Sequence, residues 1–447
     1  MNAVPLLGHA SLDDVFAWRP SGPVRVREFL ADAASLAAQL PAGRNFLNLC
    51  HDRYRFTVGL AAGLISGRTS LQPAAQSADT LRQVRAACPD VFCLCDGDFD
   101  SGDLPRFDFP ELVAVDPEKV VKIPEIPAAR IAARLFTSGS TGLPLPHDKT
   151  WGGLARNGRA GARRLGMVAR PHAIVATVPA QHSYGFESTV LLALHGNCPF
   201  WTGKPFYPQD IIAALDAVPR PRMLVTTPFH LAALLATGLD LPAVDLLLSA
   251  TAPLSAQLAA EAEKRFVAPL HEIYGCTEAG QIASRRTTVD QAWRLLADVR
   301  LEQDGERTTA FGGHVEGRVV LSDSIEILGD GRFLLHGRHA DLVNIAGKRS
   351  SLAYLNHQIA ALPGVADAVF FLPDDETTDG IGRLCALVVA PGVARRQLLA
   401  ALRERIDPAF LPRPLILVDA LPRDATGKLP RERLLGLYAS HKSDAVR

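Results

Sequence analysis

Hydrophobic residues change their spacing along the chain, and the changes outline its elements. VRVREFLADAASLAAQL (24–40) places apolar residues three and four apart and predicts an amphipathic helix, whereas NFLNLC (45–50) is a short apolar run expected to be a buried strand. LRQVRAACPDVFCLCDG (81–97) reads as helix, turn and strand, the pattern of βαβ units around a parallel sheet. The proline-bearing KIPEIPAAR (122–130) is expected to be a surface connection before the strand ARLFT (133–137). A second α/β series follows, with strands in HAIVATVP (172–179), RMLVTTP (222–228) and VDLLLSA (244–250) and a helix in LSAQLAAEAEKRF (254–266).

After about residue 300 the pattern shifts to short strands and turns, GRVVLSD, SIEILGDG and RFLLHGR, and the Asp-Gly of LGDG is a strong hairpin signal. Beyond Arg338, LAYLNHQIAAL and RRQLLAALRERI predict helices, VADAVFFL and LCALVVA predict strands, and a last helix begins near Pro430. About 100 residues with their own apolar periodicity make a small α+β domain. No internal repeat and no low-complexity tract interrupts the chain.

Composition narrows the class. The 447 residues are 48% hydrophobic and 21% charged, a globular composition too long for one compact domain. Lys+Arg and Asp+Glu both total 47, so no net charge draws the chain to nucleic acid or an anionic membrane. The N-terminal MNAVPLLGHASLDD lacks the basic and apolar regions of a signal peptide, and runs such as FTVGLAAGLISG are too short for a membrane span. The seven scattered cysteines (50, 88, 93, 95, 198, 276 and 385) lack zinc spacing and are expected to be free thiols in a reducing cytoplasm.

Candidate chemistry begins at LFTSGSTGLPLPHDKTW (135–151). Thr137, Ser138, Gly139, Ser140, Thr141 and Gly142 allow successive backbone N–H groups to converge, with hydroxyls as extra donors, which makes an anion nest. The stretch is not GxxxxGK[ST], and it lacks the spacing of a G-x-S-x-G nucleophile elbow. Alone, it is equally readable as a surface turn.

Four further stretches follow in order: SATAPL (249–254), IYGCTEAG (273–280), the Asp323 of LSD with GRHADLVNIAGKRSS (337–351), and PRDATGKLPRERL (422–434). Together with TSGSTG they resemble the motif series of the adenylate-forming superfamily, which includes acyl-CoA synthetases, aryl acid ligases, luciferases and peptide-synthetase adenylation domains. The resemblance runs from about residue 130 to 435, while the first 130 residues match only in pattern.

The resemblance implies an α/β fold: a large N-terminal domain of layered α/β subdomains (1–337), reduced in size, and a small mobile α+β C-terminal domain (338–447) carrying a catalytic lysine. It implies activation of a carboxylic acid as acyl-AMP with ATP and Mg²⁺, then thioester formation on CoA or an acyl carrier protein. By the same resemblance the 137–142 loop clasps phosphate, Thr277 contacts the α-phosphate and Glu278 holds Mg²⁺. Tyr274, with Gly275 behind it, offers a face to adenine opposite the Thr251-Ala252-Pro253 backbone; Asp323 accepts from the ribose hydroxyls with Arg338 nearby. Lys428 bridges carboxylate and phosphate oxygens in adenylation, and His182 of PAQHSYGFESTVLL borders the acid site with Gly185.

The chain departs from the family pattern in several places. Leu145 stands where relatives commonly place a loop lysine, and Lys149, with His147, is expected to supply that charge. Ala250-Thr251 replaces two glycines, and Ala340 replaces an acidic residue near the expected hinge at 338–345. Only 45 positions separate Glu278 from Asp323, a compact form resembling the stand-alone ligases of bacterial polyketide-like pathways, including those making aryl polyene pigments. Arg349, Arg423 and Arg431 are candidates to meet an acidic carrier protein. The alternative function is a non-catalytic relative serving as a binding or scaffold protein.

Overall fold

The computed structural model describes residues 2–73, 78–98, 101–112, 116–138, 144–338, 342–345, 348–373, 384–424 and 427–441. A larger N-terminal α/β domain precedes a smaller C-terminal domain. Two sheets dominate the larger one. In the first, Arg106–Asp108, Phe92–Cys95, Asn45–Asn48, Thr69–Gln72 and Ile131–Ser138 lie parallel in that spatial order, and Pro144–Thr150 closes the edge antiparallel to Ile131–Ser138.

The second sheet has eleven strands. Its parallel centre contains Phe200–Trp201, Ala173–Ala176, Arg222–Thr226, Leu246–Ser249 and Leu270–Cys276; the middle three are buried along their whole length, which is why they are mainly apolar, whereas Leu270–Cys276 alternates buried and half-buried positions. The chain then reverses: Gly280–Arg285, Trp293–Leu295 and the hairpin Asp323–Gly329/Arg332–Arg338 extend the sheet antiparallel. Asp330 and Gly331 both have positive φ, 48° and 68°, which matches the tight turn expected of LGDG. A separate three-stranded meander fills the short interval before Asp323.

In the smaller domain the helices Leu352–Ala360, Arg395–Arg403 and Arg431–His441 pack on a three-stranded sheet, Asp367–Phe371, Cys385–Val389 and Leu415–Leu417. One expectation changes: 122–130 is not only a connection. Glu125–Pro127 is a short strand paired with Ala3–Pro5, and the N-terminal segment satisfies its backbone groups. All seven cysteines are free, and all but Cys276 are buried. Among the described residues no helix is long and apolar enough to cross a membrane.

Several histidines are buried uncharged. His9, His195 and His314 are 5–6% exposed, and among the described residues the ring nitrogens of His9 and His195 lack partners. Burial lowers them from 6.5 to about 4, about 3 and about 4 respectively. Between pH 6.5 and those values the unfolded chain binds protons that the folded chain does not. Stability is therefore whole above pH 6.5 and falls on acidification, by about 1.4 kcal/mol per pH unit for each histidine in its window. Thermal midpoints should drop steeply from pH 6.5 to 5, and His195→Gln should make that slope shallower; an unchanged slope would contradict this origin.

Candidate active site

The carboxyl ends of four neighbouring parallel strands converge on one edge, where open α/β sheets bind ligands. Ala173–Ala176 leads to Thr177 and His182, Arg222–Thr226 to Thr227 and His230, Leu246–Ser249 to Thr251, and Leu270–Cys276 to Thr277 and Glu278. Four of the stretches singled out by sequence thus meet although they lie far apart in the chain.

The 270–285 hairpin carries the 277–278 pair. A bulge at Tyr274/Gly275 tightens the reversal, and a Cβ at Gly275 would lie 2.2 Å from the Gly280 carbonyl oxygen, so only glycine fits. Thr277 and Glu278 are half-buried at its tip. Tyr274 packs between Trp293 and Phe333, with ring centroids 5.6 Å from each, and its hydroxyl donates to Asp323 Oδ2 at 2.7 Å. Asp323 lies directly across the strand pair from Arg338, whose side chain is outside the description.

In the first sheet Pro144–Thr150 alternates faces with period two. Asp148 points outward to Arg134, at 2.5 and 3.0 Å, while His147 and Lys149 turn toward the 277–280 turn. His147 Nε2 lies 2.9 Å from Thr137 Oγ1 and 3.7 Å from Glu278 Oε1, and burial lowers the ring's pKa more than the Glu278 charge raises it. Lys149 departs from expectation. It is 8% exposed, and its ammonium donates to the backbone carbonyl of Glu278 at 2.5 Å, so its charge is spent behind the turn. Leu145 is 52% exposed, while residues 139–143 of the expected phosphate loop, including Gly139, Ser140, Thr141 and Gly142, lie outside the described residues, as does the side chain of Ser138.

His182 caps a one-turn helix, Ser183–Gly185, that continues into a six-residue π-helical stretch, Phe186–Leu191. π-Helical turns often mark functional sites. Gly185 is obligatory, since a Cβ there would lie 2.0 Å from the Pro179 carbonyl oxygen. Burial pushes the His182 imidazole down to about 4, helped by the nearby Lys428 and Lys204 ammonium groups, so it is neutral near pH 7.

Lys428 therefore comes from the smaller domain to the His182 turn of the larger one. Gly427 is the contact: a Cβ there would lie 3.3 Å from Phe229 Cβ and 3.9 Å from Thr227 Oγ1. The loop is held from behind, with Lys428 N–H donating to Asp424 Oδ1 at 3.0 Å and Arg423 gripping Asp367 at 2.6 and 2.7 Å. Arg423 is thus occupied in shaping the loop, Arg431 donates to the Leu372 carbonyl at 3.1 Å, and the Arg349 side chain is outside the description.

Sequence reasoning missed Glu187. This residue is 4% exposed and accepts from Gln281 N–H (2.7 Å), Ser183 Oγ (2.9 Å) and Asn157 Nδ2 (3.0 Å); burial raises its pKa against those bonds and the Lys149 charge. Its signal was a lone acid inside the apolar run GFESTVLLAL.

Such a site lies at the carboxyl edge of a parallel sheet, where open α/β sheets bind ligands, and a lysine-bearing loop of a second domain approaches it. The model of the AMP-binding enzyme family matches residues 56–331, and that of the AMP-binding enzyme C-terminal domain matches 355–428. The chain belongs to the AMP-binding enzyme family. It is 29% identical to a 4-coumarate–CoA ligase of Rhodobacter capsulatus over 349 residues, 74% of this chain and 85% of that protein. It is 24% identical to a 2-succinylbenzoate–CoA ligase of Bacillus velezensis, covering 85% and 83%. Its fold matches ATP-bound MatB of Rhodopseudomonas palustris with a TM-score of 0.80 at 20% identity, covering 96% and 97% of the two chains. It also matches the o-succinylbenzoate CoA synthetase of Bacillus subtilis in complex with ATP and magnesium ion, with a TM-score of 0.80 at 18% identity, covering 97% and 100%.

One residue of the site is strained. Thr251 has φ 79°, a region that β-branched residues avoid, next to half-buried Ala252 and exposed Pro253. Thr251→Gly should stabilise the protein by about 1 kcal/mol in urea unfolding, the strain relieved outweighing the added freedom of the unfolded chain. A loss of stability would mean that the threonine side chain's own bonds outweigh the strain.

Proposed function

We propose that the protein is an ATP- and Mg²⁺-dependent, AMP-forming acid–thiol ligase. The observation that carries this reading is the approach of the Lys428 loop to the Phe229 and His182 turns, which puts a cation of the smaller domain at the end of the sheet where the 277–278 turn also lies. The residue set fits the nucleotide. Glu278 is a half-exposed carboxylate, and Mg²⁺ in phosphoryl chemistry is commonly held by one or two carboxylates plus the substrate's own phosphates. Asp323 keeps Oδ1 without a partner among the described residues, able to accept from a ribose hydroxyl.

In the first half-reaction a carboxylate oxygen of the acid attacks the α-phosphorus of ATP, the bond to pyrophosphate breaks, and acyl-AMP forms. Lys428 offsets the charge shared between carboxylate and phosphate oxygens, and Thr277 donates to the α-phosphate. The backbone amides of 137–142 hold the outer phosphates, Tyr274 and the 251–253 backbone flank adenine, and Arg338 supports the ribose side. His182, kept neutral, borders the acid without competing for its charge. Bound Mg²⁺ supplies charge neutralisation to the phosphates.

In the second half-reaction a thiolate attacks the acyl carbon, and AMP leaves with the electrons of the acyl–oxygen bond. The named relatives favour CoA as acceptor; a carrier protein presents the same pantetheine thiol. We place the join between the domains at 338–345, and seven unpaired thiols suit a reducing cytoplasm. The acid is best sought among aromatic and arylalkyl acids, the chemistry in the names of those relatives.

Purified protein with ATP, Mg²⁺ and a panel of benzoic, cinnamic, succinylbenzoic and fatty acids should release pyrophosphate with one acid class. Lys428→Ala should lose about 10²–10³-fold of that rate while still binding ATP in calorimetry. Comparison of CoA with a phosphopantetheinylated carrier protein then identifies the acceptor. Absence of ATP binding would overturn the reading.

A further inference from the structure

The 278–281 segment is held from behind by two buried ionisable side chains. At one end Lys149 Nζ donates to the Glu278 carbonyl at 2.5 Å, and at the other Glu187 Oε2 accepts from Gln281 N–H at 2.7 Å. Gly280, at φ 78°, lies between them, and a Cβ there would come within 2.8 Å of Asn157 Nδ2 and 3.3 Å of Glu187 Oε2. The close approach therefore requires this glycine. Lys149 and Glu187 both line a small buried cavity of about 10 Å³, shared with His314 and Glu316.

The pair's other bonds lead to the rest of the site. Glu187 also accepts from Ser183, the residue after His182, and from Asn157 of the helix Trp151–Arg164. Lys149 lies on the strand that follows the phosphate-loop stretch, and Glu316 fixes the end of that strand by accepting from Thr150 N–H at 2.9 Å. Burying two charges costs several kcal/mol per ion before their mutual attraction, and well-packed apolar residues of similar volume often stabilise as much or more. The fold alone does not call for them.

We propose that Lys149 and Glu187 are positioning residues, a buried clamp that sets the direction of the Glu278 carboxylate and ties the metal-side turn to the acid-side turn at Ser183. Partners behind a metal ligand commonly govern its affinity. The proposal rests on the assignment of Glu278 to the metal, and it replaces a direct contact between Lys149 and phosphate.

The test measures Mn²⁺ binding by electron paramagnetic resonance to the full-length protein saturated with a non-hydrolysable ATP analogue, which needs no knowledge of the acid. Lys149→Met and Glu187→Gln should each weaken Mn²⁺ about tenfold or more, with analogue affinity in EDTA held within about twofold. Hydrogen exchange in unliganded protein should be faster at amides 277–281 in both variants, a readout independent of any metal. Glu278→Gln separates the two ideas: if it leaves Mn²⁺ binding unchanged, the metal assignment fails, and hydrogen exchange alone judges the clamp. Unchanged Mn²⁺ binding in Lys149→Met and Glu187→Gln while Glu278→Gln weakens it would overturn the clamp, as would unchanged exchange. Weaker analogue binding in EDTA by Lys149→Met would also overturn it, by making Lys149 a phosphate contact. Should Lys149→Met not fold, Glu187→Gln carries the same comparison.

Discussion

A reversal of chain direction at the edge of a parallel sheet is the constraint on which this site depends. Strands Leu246–Ser249 and Leu270–Cys276 run parallel, and Gly280–Arg285 must return antiparallel beside the second of them within a three-residue turn. Gly275 and Gly280 are the residues that make the turn sterically possible, each with an atom closer than 3.0 Å to where a Cβ would be. The turn exposes Thr277 and Glu278 at the carboxyl end of the sheet while the Tyr274 ring stays packed with Trp293 and Phe333. Thr277 and Glu278 thus sit in a short turn anchored at both ends by paired strands, which fixes its direction better than a long free loop would.

Electrostatics around that turn follow from burial. A neutral His182, a neutral His147 and a lysine spent on a backbone carbonyl leave Glu278 as the anionic side chain facing outward at the tip. Two anions, an acid and a polyphosphate, meet in a reaction of the proposed kind, and cations buried permanently beside them would hold substrate and product alike. On the proposed reading, the compensating charge is that of Lys428, which belongs to the smaller domain and is not buried beside the substrates.

Much of this was legible in the sequence. Strands 172–179, 222–228 and 244–250 were readable because they are covered on both faces, and the LGDG hairpin because its turn needs two positive φ angles. The pairing of Asp323 with Tyr274 and its position across from Arg338 agree with the order of the motifs. Glu187 was overlooked although it stands alone in an apolar run, and the inward turn of Lys149 was not legible. A period-two strand says that 147 and 149 share a face, but which face meets the 277–280 turn depends on how two separate sheets pack. The short strand Glu125–Pro127 was hidden for a similar reason, since its partner lies more than 120 residues away.

The smaller domain's loop shows how such a lysine is held in shape from its own side. Inside its own domain the 423–428 loop is cross-braced: Arg423 grips Asp367 with two charge-assisted bonds and donates to the Gly427 carbonyl at 2.9 Å, while Asp424 bonds Lys428 through both backbone and side chain. Toward the larger domain the contact of Gly427 is with Phe229 and Thr227, a van der Waals approach without a charge pair. These bonds fix the loop backbone at Lys428 within its own domain, so the loop's shape does not rest on the Gly427 approach to the larger domain.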